Sequence, residues 1–177
     1  MTAPQFASAQ SSRRSWLLPI LALTLAAALW ALSLALPVWD ARSHNGQVTA
    51  VPGILPAFIG WLGILVFCPA WYANPLLLPL GFTLFKARRF GFWLGVCAFA
   101  LAASAYFMRA IYGDDEPAQL VARKIGFYVW LASFLVILVA HALQLPPASS
   151  PSPRTRWTIF SLLLLIIIIL EFTVRLG

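Results

Sequence analysis

Polar residues along this chain come in short bursts, and the stretches between them are almost wholly apolar. The runs at 15–36, 90–111, 125–145 and 157–174 are each long enough, at about 1.5 Å per residue, for a helix to cross a hydrocarbon core about 30 Å thick. The run at 53–85 does not fit that pattern. As one straight helix its 33 residues would reach about 50 Å, and Pro56, Pro69, Pro75 and Pro79, with Gly60 and Gly63, interrupt it. We divide it into a short interfacial or re-entrant helix over 54–65 and a kinked span over 67–85. A hairpin with both arms spanning would leave the second arm too short and put Lys86, Arg88 and Arg89 on the wrong side. The pattern therefore predicts an all-α fold: an integral membrane helix bundle of about five spans, with a broken or re-entrant segment before the second. Residues 1–14 form a cytoplasmic tail and 15–177 a single membrane domain. Polar loops are expected at 37–52 and 112–124, and a Pro-rich linker at 146–156.

Arg13-Arg14 ahead of Trp16-Leu17-Leu18 superficially matches a twin-arginine export signal. The apolar run is longer than a signal core and Pro37 would lie just behind the cut, so the segment is expected to be kept as a span.

Composition makes the bilayer the solvent: 62% of the 177 residues are hydrophobic and 10% charged, too few polar groups to cover a soluble core. A net charge of +7 would suggest nucleic acid in a soluble protein, but here the basic residues flank spans and orient them, so no nucleic-acid partner is implied. With five crossings and the N-terminus cytoplasmic, the inner side carries Arg13, Arg14, Lys86, Arg88, Arg89, Arg154 and Arg156 with no acid. All five acids, Asp40, Asp114, Asp115, Glu116 and Glu171, fall on the outer side with Arg42, Arg109, Arg123, Lys124 and Arg175. The expected topology is N-terminus inside and C-terminus outside. Trp39, Trp71, Tyr72, Tyr106, Tyr112 and Trp157 lie near span ends, as interfacial aromatics do. Cys68 and Cys97 lie in apolar runs without a CxxC partner and read as structural thiols.

Ionisable residues inside apolar runs are the first place to look for function, because charge in lipid is costly. Arg109 and Glu171 both fall toward outer span ends, where an ion pair between the third and fifth helices, or snorkelling to the headgroups, is the expectation. His141 near the inner end of the fourth span reads as a hydrogen-bonded packing residue rather than a proton relay. At Trp71, Asn74 and Pro75 the long apolar segment bends; Pro75 frees a carbonyl one turn earlier and Asn74 offers a donor and an acceptor beside the break. Ala27, Ala31 and Ala35 recur every fourth residue, giving the first span a smooth face for another helix. No nucleophile with a base, carboxylate pair, phosphate-cradling loop or zinc spacing is visible, and His44 in a loop offers no second haem ligand. Neither enzymatic activity nor a metal or other cofactor is expected.

Three stretches carry a resemblance: Ser33-Leu34-Ala35-Leu36-Pro37; Gly60-Trp61 through Trp71-Tyr72-Ala73-Asn74-Pro75-Leu76; and Gly126-Phe127-Tyr128-Val129-Trp130-Leu131-Ala132-Ser133. Over about 33–135 the chain resembles a group of small uncharacterised bacterial inner-membrane proteins. The resemblance implies a multi-pass inner-membrane location and no particular activity, cofactor or site residue. The first functional expectation is a non-enzymatic accessory or structural component of a membrane complex, with the lipid bilayer and either a membrane-protein partner or a second copy as its partners. The alternative is a small transporter or channel-like protein with its site in the broken segment 53–85, since interrupted helices line such sites. A membrane enzyme acting through Asp40, His44 and the acidic loop ranks last.

Overall fold

A computed structural model describes residues 5–59, 69–112 and 117–145. Contacts divide the chain into two units, Met1–His141 and Ala142–Gly177. The first unit is treated below; of the second, the described part is the last turn of the helix that ends the first. The expected linker at 146–156, the span at 157–174 with Glu171, and the second half of the expected re-entrant segment, 60–65, lie outside the described residues.

Among the described residues five α-helices and four strands follow one another. Helix α1, Gln5–Ala35, starts well inside the expected polar tail. From Gln5 on, that segment holds Gln, Ala and Ser with no proline until Pro19, so the backbone stays helical through it. Helix α2, Ile54–Ile59, is only six residues. A 3-10 turn, Pro69–Tyr72, leads into α3, Ala73–Lys86. After Ala87, at φ −123° and ψ 62°, α4 runs over Arg88–Ser104 and closes in a 3-10 turn, Ala105–Phe107. Helix α5 is Ile125–Gln144.

Among the described residues three segments are long and apolar enough to cross a membrane: Trp16–Ala35, Arg88–Phe107 and Ile125–Gln144, each of 20 residues. The expected span at 67–85 differs. Its α-helical part has 14 residues, about 21 Å, and the preceding 3-10 turn adds about 8 Å. Pro75 does not kink it. It is the third residue of α3, in the first turn, where backbone N–H groups have no intrahelical acceptor and a missing one costs nothing. The proline inside the helix is Pro79.

The fold is mostly helical, as expected, but not purely all-α: it also holds a four-stranded antiparallel sheet of order β2-β1-β4-β3. Both expected polar loops are hairpins: β1, Pro37–Arg42, with β2, Val48–Pro52, and β3, Ala110–Tyr112, with β4, Pro117–Arg123. The first turns at Ser43-His44-Asn45-Gly46. Gly46 takes φ +81° and its N–H donates to the Ser43 carbonyl at 2.9 Å, while Asn45 Oδ1 accepts from the Gln47 N–H at 3.1 Å. An Asn-Gly step ahead of Val48-Thr49 is a strong hairpin signal, and it was present in the sequence.

The two central strands run almost directly into helices. One residue separates α1 from β1, and one separates β4 from α5. The Lys124 N–H donates to the Val38 carbonyl at 2.9 Å, and Lys124 Nζ pairs with Asp40 at 2.7 Å. Two glycines allow the approach. A Cβ on Gly53 would stand 2.0 Å from the Ser33 carbonyl oxygen, and one on Gly126 would stand 2.6 Å from that of Pro37. The sheet thus caps one end of the helices, and the turn holding Lys86, Arg88 and Arg89 lies at the other. Leu80 and Leu84 of α3, Ala98, Phe99 and Ala102 of α4, and Phe127, Phe134, Ile137 and Leu138 of α5 form the buried core.

One further expectation is corrected. The helix expected to run to about Ile111 ends at Phe107; Met108 is extended, and Arg109 leads exposed into β3 with its carbonyl accepting the Leu120 N–H. Ala27, Ala31 and Ala35, the face expected to meet another helix, lie on α1. All three are exposed, and α1 instead turns Pro19, Ala22, Ala26 and Ser33 inward.

Candidate functional site

Asn74, the second residue of α3, is the polar centre of the described bundle. Its Oδ1 accepts the Trp30 indole N–H from α1 at 3.2 Å and the Trp130 indole N–H from α5 at 2.9 Å. A carboxamide oxygen has two acceptor positions, so both are taken. The two tryptophans share a local device: three residues on, Ser33 Oγ donates to the Trp30 carbonyl and Ser133 Oγ to the Trp130 carbonyl, each at 2.6 Å. Such back-bonding satisfies the hydroxyl inside its own helix. Trp130 also stands in an aromatic row, 6.1 Å from Phe127 and 5.3 Å from Phe134.

Trp71, predicted to sit with Asn74 at the break, has a different task. Its indole N–H donates at 2.9 Å to the Ala57 carbonyl of α2, tying the start of the Pro69–Lys86 segment to that helix. Pro75 is exposed and touches none of these polar contacts. The sequence drew attention to Asn74 and Trp71, both of which make hydrogen bonds between elements. It did not show Trp30 and Trp130, which are 44 and 56 positions away.

His141, fully buried in the last turn of α5, has Nε2 at 3.3 Å from both the Leu80 carbonyl and Thr83 Oγ1. Thr83 Oγ1 itself donates to the Leu80 carbonyl at 2.9 Å. The carbonyl fixes the proton on Nε2 by network logic. Nδ1 has no hydrogen-bond partner and faces Gly91, where a Cβ would come within 2.7 Å of it and 2.2 Å of Cε1. The Cε1–Nδ1 edge of the imidazole thus lies against α4 at a point where a side chain larger than glycine's would collide with it. Gly91→Ala is expected to lower stability by about 1–3 kcal/mol through overpacking, read as a lower thermal midpoint in detergent. An unchanged midpoint would mean that His141 does not occupy this position.

A second polar group sits where the sheet meets the helices. The Arg123 guanidinium stacks 4.1 Å above the Tyr106 ring and its Nη2 donates to the Tyr106 carbonyl. Trp39 of β1 is paired directly with Arg123 of β4. Sequence reasoning treated Trp39 as an interfacial aromatic and Arg123 as one charge in a tally. The adjoining Arg123-Lys124 step before an apolar run was the available signal. Glu171, the expected partner of Arg109, lies outside the described residues. Among the described residues no three His, Cys, Asp or Glu side chains gather closely enough to share a metal ion.

No protein-family model, curated protein or solved structure matches this chain.

Proposed function

We propose that this is a multi-pass protein of the bacterial inner membrane that works by association, as a non-enzymatic accessory or structural component of a membrane complex. This reading groups it with the small bacterial inner-membrane proteins it resembles. The N-terminus lies in the cytoplasm, the sheet faces the outer side and the C-terminus is outside. Lys86, Arg88 and Arg89 at the end opposite the sheet support this orientation, since basic residues stay on the cytoplasmic side.

The observation that carries the reading is the use of Asn74. The alternative, transport through the broken segment, needs that polar side chain for a solute, yet its acceptor oxygen is committed to Trp30 and Trp130 and ties three helices together. What remains unused is the Ala27, Ala31 and Ala35 face of α1, exposed on a helix with only 22% of its spanning window buried inside the chain. Small residues at four-residue spacing let helix backbones approach, which drives association in lipid.

The test compares Ala31→Leu with Asn74→Ala in the full chain. Ala31→Leu is expected to leave the thermal midpoint of the isolated protein unchanged while abolishing co-purification of its partner; Asn74→Ala is expected to lower the midpoint. Intact assembly in Ala31→Leu, or specific loss of solute flux in a stable Asn74→Ala protein, would overturn the proposal.

A further inference from the structure

We propose that the junction around Trp39 and Arg123 is a binding site for a phosphate group at the membrane surface, of the kind an anionic phospholipid headgroup carries. The argument begins with register. Trp39 and Arg123 are direct cross-strand partners in the central antiparallel pair, so their side chains share one face of the sheet. Asp40 and Lys124, one position along, take the other face and pair there. Trp39 is 7% exposed and its indole N–H has no hydrogen-bond partner; Arg123 Nε is buried and likewise without one. Buried polar groups are satisfied in the great majority of cases, so two orphans on paired residues call for a common explanation.

Both are donors only, and what they lack is an acceptor. The guanidinium adds a full positive charge that no carboxylate among the described residues neutralises, since the ion pair at this junction is spent on Lys124 and Asp40. Its plane is held on the Tyr106 ring, which fixes the orientation of the remaining N–H groups. A planar fork of donors with a neighbouring indole N–H suits an oxyanion with several acceptor oxygens, and phosphate meets that description.

Position selects the source. Arg123 stands two residues before α5 and Trp39 four after α1, at the level where helix gives way to sheet. Phe107, next in the chain to Tyr106, and Ile125, two residues after Arg123, are 69% and 60% exposed. Apolar side chains there suit the first carbons of an acyl chain whose headgroup lies on Arg123. Arg123 is part-buried although its Nε is buried, so the opening to the outside lies at another part of the residue, and a headgroup would approach from there.

Native mass spectrometry of the full chain in detergent tests this with three probes: dioleoylphosphatidylglycerol, dioleoylglycerol with the same chains and no phosphate, and inorganic phosphate. The wild type is expected to retain the phospholipid about tenfold more strongly than dioleoylglycerol. Trp39→Phe, which removes one N–H and keeps the ring, weakens that preference, and Arg123→Gln abolishes it. Arg123→Lys keeps the charge without the fork, guarding against a Gln variant that fails to fold, and is expected to show an intermediate preference. Displacement of the phospholipid by millimolar inorganic phosphate would support the same site with a free anion as its occupant. Equal retention of the two lipids, or an unchanged preference in folded Arg123→Gln and Arg123→Lys proteins, would overturn the proposal.

Discussion

Gly53→Ala is expected to cost about 3 kcal/mol or more of stability, with Gly126→Ala close behind it. In both cases the added methyl meets backbone rather than a movable side chain: the Ser33 carbonyl oxygen at 2.0 Å, or those of Pro37 and Leu36 at 2.6 and 2.9 Å. Gly53 is further pinned by its N–H, which donates to the Leu36 carbonyl at 2.9 Å. Relief requires α1 to move away from β2, or α5 from the α1–β1 connection, and either motion pulls on the sheet. Gly46→Ala is the control. It has open space and only its φ of +81° to contend with, and is expected to cost about 1 kcal/mol. Thermal midpoints of the three variants in one detergent read the ranking; Gly53→Ala no worse than Gly46→Ala would mean that α1 and β2 do not meet as described.

Asn74→Ala carries the second large effect. Removing one oxygen strands two indole N–H groups in a low-dielectric interior, where an unsatisfied donor costs about 1–3 kcal/mol. Interhelical hydrogen bonds within lipid average nearer 0.6 kcal/mol, because partners are also found in the unfolded state. A loss of about 2 kcal/mol is therefore expected. The diagnostic feature is coupling: Trp30→Phe and Trp130→Phe should each cost less in the Asn74→Ala background than alone, by about 0.5–1.5 kcal/mol. Strict additivity would show that the three side chains act separately.

The sequence announces its long apolar helices because length and lipid compatibility are local properties. The sheet was hidden by the habit of reading polar stretches between spans as loops, although Asn45-Gly46 ahead of Val48-Thr49-Ala50-Val51 carried a hairpin signal. The rotation of α1 could not be read. Its apolar residues run all round the helix, so Ala22 and Ala26 look like Ala27 and Ala31 until the neighbours are present. Arg109 was placed in a span because the apolar run continues past it to Ile111, whereas the helix ends at Phe107. Asn74 drew attention for its adjoining proline, yet its importance comes from two tryptophans on distant helices. The Trp39 and Arg123 pair depends on the register between strands of two different hairpins, which neither hairpin's own sequence advertises.

The central claim is that this bundle works by association, its buried polar groups spent on holding itself together. The most direct measurement is native mass spectrometry of the chain extracted from its own membrane in a mild detergent. The account predicts that the 19.5 kDa chain leaves the membrane with a second chain, another protein or a further copy, in fixed stoichiometry, and that Ala31→Leu releases it. A wild-type chain recovered alone and fully folded, retaining a specific small solute instead, would contradict it.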